Sequence, residues 1–503
     1  MINVSREILR GVDNMYIAPQ SIFKVITDVP FANDHKHTIL FTSATQQQAY
    51  FNSKTAYTFS NFSYVRKENV VRVPTVADNL YSANYCAFKN VGFGDKWFYG
   101  FITNVEYINN EVSAVSIDVD WMQTFLFDFA LGNCYTVREH VVDDTIGAHT
   151  IPEDITFGEN VVMKTMTHYF TDWKCIIVAI PNTSSTEAGQ VDGKVIRKLY
   201  TGGTMYLSDL DAGNINQIIN NLISNGLIVS NVYTIPGEFL NYFSNPITEE
   251  ETGTRPSSLG VGNKSDAYTP VNNKLLTYPY TFLRVENNQG GASEFRWEDT
   301  NDGTGVNFLL LDNYVNACEC CLQPQNYQKS GNRSGSLYIS NFPQCSWSED
   351  AVASNMVGKN ISATIASILS LNPQPIADRV SEIATSFVQP ETPKGNYTSP
   401  YIDAQNNQMG YSFYTMGIRA EMARVVDDYF TRFGYKVLRY KIPETKSRTS
   451  FNYVQTENAY ITGSIPNEAV VQIANAFNSG ITLWHTTDVG NYTLDNSIVS
   501  DRR

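Results

Sequence analysis

Along the first 160 residues the apolar positions fall in short runs with a period near two. In "SAVSIDVDW", Val115, Ile117 and Val119 alternate with Ser116, Asp118 and Asp120, as on a strand with one buried and one wet face. "SIFKVITDVPF" and "WFYGFITNVEYI" are further β-branched and aromatic runs, and "FANDHK", "VGFGDK" and "INNE" punctuate them with turn chemistry. A hairpin is predicted from Trp97 to Phe129, turning at Asn109 and Asn110. From about 160 to 345 the polar connections lengthen, as in "PNTSSTEAGQVDGK" and "NPITEEETGTRPSSLGVGNKSD". Between them lie a strand, "CIIVAIP", and a helix, "INQIINNLISNG", whose Ile215, Ile218, Ile219 and Leu222 recur at helical spacing before Gly226. Loops this long usually carry function or face solvent, so this region is predicted to be an inserted, outward-facing domain.

Residues 349–395 break the pattern. Ile361, Ile365, Ile368 and Leu369 share one helical face, Leu371 closes the apolar run, and Pro373 and Pro375 interrupt it. Ile376, Val380, Ile383 and Phe387 then form a second apolar face, with Asp378, Arg379 and Glu382 opposite. The reading is a helical hairpin. Its first arm covers about half of the ~20 residues that a membrane-spanning helix needs. The tail returns to regular elements. "GIRAEMARVVDDYFTRFG" places Ile418, Met422, Val425, Tyr429 and Phe433 on one helical stripe ending at Gly434. Strands "YKVLRYKIP" and "FNYVQTENAYITG", a helix "PNEAVVQIANAFNSG" with Asn467 near its start, and a strand "ITLWH" follow.

Composition sharpens the fold class. Thirteen per cent aromatic residues against 17% charged, with 30 Tyr and 27 Phe, favours strands and turns, and 503 residues suffice for several domains. The expected class is mainly β with some α. A formal charge of −14 excludes the basic footprint of ordinary nucleic-acid binding, although it suits a surface past which DNA slides. The seven cysteines form neither a paired zinc motif nor an even disulfide framework, so free thiols are expected. The amino terminus, charged at Arg6, Glu7 and Arg10, has no long apolar core of the signal-peptide kind, which predicts synthesis and folding in a cytoplasm.

Three clusters invite a chemical reading. In "VREHVVDDTIGAHTIPED", Glu139, His140, Asp143, Asp144, His149 and Glu153 are candidate metal ligands or acid/base groups. Glu139 and His140 point oppositely on a strand, however, and solvated charges with a structural histidine are the plainer reading. Asp118 and Asp120, on one strand face and about 7 Å apart, approach the carboxylate spacing of glycosidases. Their plainer role is the exposed side of a strand. His35 and His37 lack a third ligand and read as surface residues. No nucleophile elbow, phosphate loop or dinucleotide fingerprint is present. Neither a cofactor, a metal nor catalysis is expected; the alternative is a cell-wall hydrolase or glycan-binding tail component resting on Asp118 and Asp120 and on the many Tyr and Trp that could stack sugars.

Several longer strings carry a family resemblance. "DVPFANDHKHTILFTSATQQQAYFNSK", "LYSANYCAFKN", "DKWFYGFITNVEYINN", "IDVDWMQTFLFDF" and "VREHVVDDTIG" resemble the tail-knob, or major tail tube, proteins of short-tailed phages of Gram-positive bacteria. So does the ending, from "YFTRFGYKVLRYKIPETKSRTSFNYVQTENAYITG" to "SIPNEAVVQIANAFNSGITLWHTTDVGNY". The resemblance implies a homo-oligomer, a hexamer, at the tail tip of the virion, made in the host cytoplasm, joined to other tail and collar proteins and conducting DNA without binding it specifically. It implies a β-barrel-like tube wall from 1–159 and 396–503, an inserted domain at 160–348, and an apolar loop at 349–395 that plugs the tube and contacts the host membrane. That loop is shorter here and less glycine-rich than the family's.

Overall fold

The computed structural model describes residues 21–499, leaving out 61–62, 66–68, 91–93, 95, 171–172, 182–193, 199–203, 210–211, 238–244, 248–252, 261–266, 302, 314–318, 329–335, 341–343 and 347–408. The apolar hairpin residues Ile361 to Phe387 lie outside the described residues. The chain divides into two units, one of Met1–Asp144, Ile151–Ile155 and Asp427–Arg503, the other of Thr145–Thr150 and Thr156–Val426.

The first unit is built on a seven-stranded antiparallel sheet whose order is 55–60, 22–27, 83–89, 98–109, 112–119, 70–73, 63–65. Its two edge strands are consecutive in sequence and separated only by residues 61 and 62. Three Cα steps of 3.8 Å hold Ser60 and Ser63 within about 11 Å, so the sheet must curl until its ends approach one another. Its two faces are both apolar, as a curled sheet packed on its outside requires. Phe23, Val25, Cys86, Phe88, Val115 and Ile117 make one core cluster. Ile26, Tyr85, Ala87, Tyr99 and Phe101 make the other, with Phe451 and Trp484 from the C-terminal region.

The predicted hairpin is present as Phe98–Asn109 and Val112–Val119, but it stops short of the predicted end at Phe129, because Asp120 caps a helical turn over 121–124. Its turn falls one residue later than predicted, at Asn110 and Glu111, because the Asn109 side chain accepts from the Glu111 and Val112 amides, both at 2.8 Å. The alternation of 115–119 also holds, with Val115, Ile117 and Val119 buried and Asp118 exposed.

A second, five-stranded sheet joins the two ends of the chain. Its order is 37–39, 481–484, 451–457, 134–139, 435–441, so the N-terminal strand Cys134–Glu139 lies between two C-terminal ones. Helix α1 (Ala44–Ser53) is capped by Ser43, whose side chain accepts from the Gln46 amide. Helix α2 (Trp121–Thr124) is a single turn capped by Asp120.

Among the described residues the second unit holds three antiparallel sheets. Their shared core contains Trp173, Ile176, Leu283, Phe295, Phe308 and Phe413. Strand Trp173–Pro181 is buried on both faces, which is why "CIIVAI" lacks alternation: Ile176 and Val178 enter that core, while Cys175, Ile177 and Ala179 pack under helix α3 (Ala212–Ser224). Ile215, Ile218, Ile219 and Leu222 of α3 are buried as predicted, and Gly226 follows at φ +75°.

The next helix, α4 (Ala420–Phe433), departs from the predicted stripe. Ile418 ends the strand Gly410–Ile418, Val425 is 62% exposed, and the buried positions are Ala420, Ala423, Val426, Asp427 and Phe430. The stripe drawn through the bulkiest residues misses a face built partly of small and polar ones. Helix α5 (Asn467–Ser479) buries Ala469, Ile473, Ala476 and Phe477. Among the described residues Cys86, Cys134 and Cys175 are free thiols.

Candidate functional site: a polar cluster joining the chain's ends

The charges of "VREHVVDDTIGAHTIPED" divide: Asp143 and Asp154 are exposed, while Glu139, His140, Asp144 and Glu153 are bonded into the fold. In the first unit the latter form a buried network with partners from the C-terminal region. Arg138 pairs with Glu153 and donates to the Gly434 carbonyl at 2.7 Å. Glu153 accepts from the Lys436 amide at 2.9 Å. Glu139, 1% exposed, accepts from Lys441 Nζ at 2.6 Å and from the Glu444 amide at 2.7 Å. Asp144 accepts from the Tyr435 hydroxyl at 2.6 Å. Each buried charge therefore has a donor, as burial demands.

Gly434 permits this closeness. At φ +64° it ends α4, and a Cβ there would stand 2.1 Å from the Glu139 carbonyl oxygen.

His140 is the buried hub. Its Nδ1 accepts from the Tyr453 amide at 2.7 Å, so the ring is neutral and Nε2 donates to the Thr431 carbonyl at 2.9 Å. Burial, with the nearby Arg448, pushes its pKa down to about 3. Burial also pushes His485 down to about 4; its Nε2 donates to Asn452 Oδ1 at 3.0 Å. Asn452 in turn donates to Ser447 Oγ, which donates to the His140 carbonyl. With both ring nitrogens committed to backbone groups, His140 has no free edge for proton transfer. His149 falls in the run 145–150 of the second unit.

The carboxylate pair separates. Asp118 is exposed on its strand, whereas Asp120 has left the strand, is 2% exposed and caps α2 by accepting from the Gln123 amide at 3.0 Å. Tyr85 donates its hydroxyl to Asp120 Oδ2 at 2.9 Å. Burial raises the Asp120 pKa, and these hydrogen bonds offset part of the rise. The expected shared face fails because the strand ends at Val119.

His35 and His37 are half-buried rather than surface groups. His35 stands edge-on to Phe101 at 5.7 Å between ring centres, and His37 Nδ1 accepts from Trp484 Nε1 at 3.2 Å. Among the described residues no group of three His, Cys, Asp or Glu is placed to hold a metal, and no helix is long and apolar enough to cross a membrane.

Reading the sequence missed Arg138, Lys441, Ser447 and Asn452. Glu139 and Lys441 stand about 300 positions apart, and no local spacing announces such a pair. Only the strand context of "TVREH" and "YKVLRYK" hints at it.

A family model described as Bacillus phage phi29, tail knob protein gp9, C-terminal domain, matches residues 239–385 and 360–497. A model of the caudoviral major tail protein N-terminus matches residues 19–130. The tail knob proteins gp9 of Bacillus phages PZA and phi29 are each 24% identical to this chain, over 94% of it and 98% of their own length. The solved structure of the bacteriophage C1 tail knob protein, gp12, superposes with a TM-score of 0.60 over 95% of this chain and 100% of that one, at 17% identity.

Proposed function

Because the chain belongs to the tail knob protein family and is a structural component of a phage tail, we propose that copies of it close into a ring around an axial passage through which the genome leaves the virion. The observation that carries this reading is the fold, shared over nearly the whole length of a solved tail knob protein. The interleaved sheet adds support: with Cys134–Glu139 between two C-terminal strands, the N-terminal part of the first unit and its residues 435–484 act as one piece of wall. The acidic balance suits a conduit that does not retain phosphates.

The segment 349–395 serves in this reading as the plug of the passage. On release, several copies together press apolar faces into one leaflet of the host membrane, since burial adds at about 25 cal/mol per Å² for every chain. The two stretches matched by the C-terminal-domain model overlap at 360–385, and the alignment with the PZA protein runs over 591 residues against a chain of 503, so the relatives carry stretches that are absent here. An abbreviated plug accords with both. The hydrolase alternative draws no support from Asp118 and Asp120, one solvated and the other a buried cap.

The assembled mass and negative-stain images of the purified protein test the ring. Closed particles with a central hole are expected, and a monomer at virion-like concentrations would refute it. Ile365→Asp and Ile368→Asp are expected to lower dye release from lipid vesicles several-fold. Unchanged release from both removes the membrane role and leaves the plug.

A further inference from the structure

The seven-stranded sheet of the first unit carries two lysines side by side. Lys24 lies opposite Thr58 and Ala87, and Lys89 lies opposite Ile22, so the two lysines are diagonal neighbours on one face, about 7–8 Å apart at the backbone. Both ammonium groups lean on one indole: Lys24 Nζ stands 4.7 Å and Lys89 Nζ 5.4 Å from the centre of the Trp97 ring. Lys24 also donates to Oδ1 of Asn52, in the last turn of α1.

On that face the opposed neighbours of Lys24 are Thr58 and Ala87, and its diagonal ones include Ser60, Tyr85 and Lys89; none of these is acidic. In a chain of formal charge −14, Lys24 is thus held beside a like charge with no carboxylate across from it. Burial, and next the charge of Lys89, pull its pKa down. Such a placement costs stability unless an anion relieves it.

We propose that this face binds a phosphate group of a base-free phosphodiester chain, a polyol phosphate polymer. The groups gathered there are donors. Lys24 and Lys89 bring charge, the exposed Thr58 and Ser60 hydroxyls lie on the same face, and Asn52, its oxygen taken by Lys24, keeps its Nδ2 hydrogens to donate. Phosphate oxygens accept from each of these groups. Two features select the polymer. The acidic protein repels a duplex along its whole length, whereas a thin, flexible chain brings only about one or two phosphates against the lysines. Single-stranded nucleic acids are held by bases stacked on open aromatic rings. The Trp97 ring carries ammonium groups instead, so the site suits a chain without bases.

Binding of fluorescent poly(glycerol phosphate) to the full chain, followed by anisotropy at low salt, tests this. Lys24→Gln with Lys89→Gln is expected to weaken binding about tenfold or more, and added salt is expected to weaken the unmodified protein's binding several-fold. Lys36→Gln with Lys446→Gln removes the same charge from exposed positions elsewhere and is expected to change binding by less than about twofold. Thr58→Asp, a single exposed change that sets a carboxylate beside Lys24, is expected to abolish binding with the melting midpoint unchanged, which keeps the test decisive should the paired lysine variant fail to fold. No binding by the unmodified protein, or equal loss from the two lysine pairs, overturns the site. Tighter binding of a single-stranded oligonucleotide of equal length overturns the base-free assignment. The site lies within one chain, so none of these outcomes depends on ring formation.

Discussion

Asp118 and Asp120 stand two positions apart and have unrelated tasks. Removing the Asp120 carboxylate takes away the α2 cap and leaves the buried Tyr85 hydroxyl without its acceptor. Asp120→Ala is therefore expected to cost about 2–4 kcal/mol in urea unfolding, and Asp118→Ala about 0.5 kcal/mol or less. Equal effects would contradict the assignment. The histidines give a pH signature. His140 in the folded chain binds its proton only near 3, against 6.5 unperturbed, so the unfolded chain takes up the proton first as pH falls. Stability is then full above pH 6.5 and declines through the window from 6.5 to about 3. The His140 share of the loss is ~2 kcal/mol at pH 5, and His485 acts in the same direction. A thermal midpoint that holds level from pH 7.5 to 5 would refute the buried, neutral state.

At the scale of elements, two glycines end two helices for different reasons. Gly226 and Gly434 both adopt positive φ, but a Cβ on Gly226 would meet nothing within 4 Å, whereas on Gly434 it would overlap the Glu139 backbone. Gly226→Ala is expected to cost about 1 kcal/mol, the left-handed backbone penalty alone. Gly434→Ala is expected to cost about 3 kcal/mol or more, because the backbone of the neighbouring strand must also move. Chemical denaturation of the two variants separates the cases. Both stops were legible in the sequence, because a glycine after an apolar-periodic run is a local signal. The packed face of α4 was not legible. Ala423, Val426, Asp427 and Phe430 carry less bulk than Met422, Val425, Tyr429 and Phe433, and only the neighbouring elements decide which stripe is covered.

Across the whole molecule, the two ends of the chain complete one sheet. Cys134–Glu139 has both of its ladder neighbours in 435–457. A chain ending at Gly434 is therefore expected to lose the cooperative unfolding transition of its first unit. A sharp transition and native protease resistance in that truncated chain would show that the sheet stands without its C-terminal strands. The sequence by itself determined the β-rich class, the existence of a hairpin after Trp97, the α3 and α5 helices and the family, because periodicity, turn residues and long characteristic strings are local properties of the chain. Only the tertiary structure decided that Asp120 is a cap, that Glu139 and His140 lie buried among donors and acceptors some 300 positions away, and that the ends interleave. Burial and hydrogen-bond partnership depend on which distant segments pack together, and no local spacing encodes that.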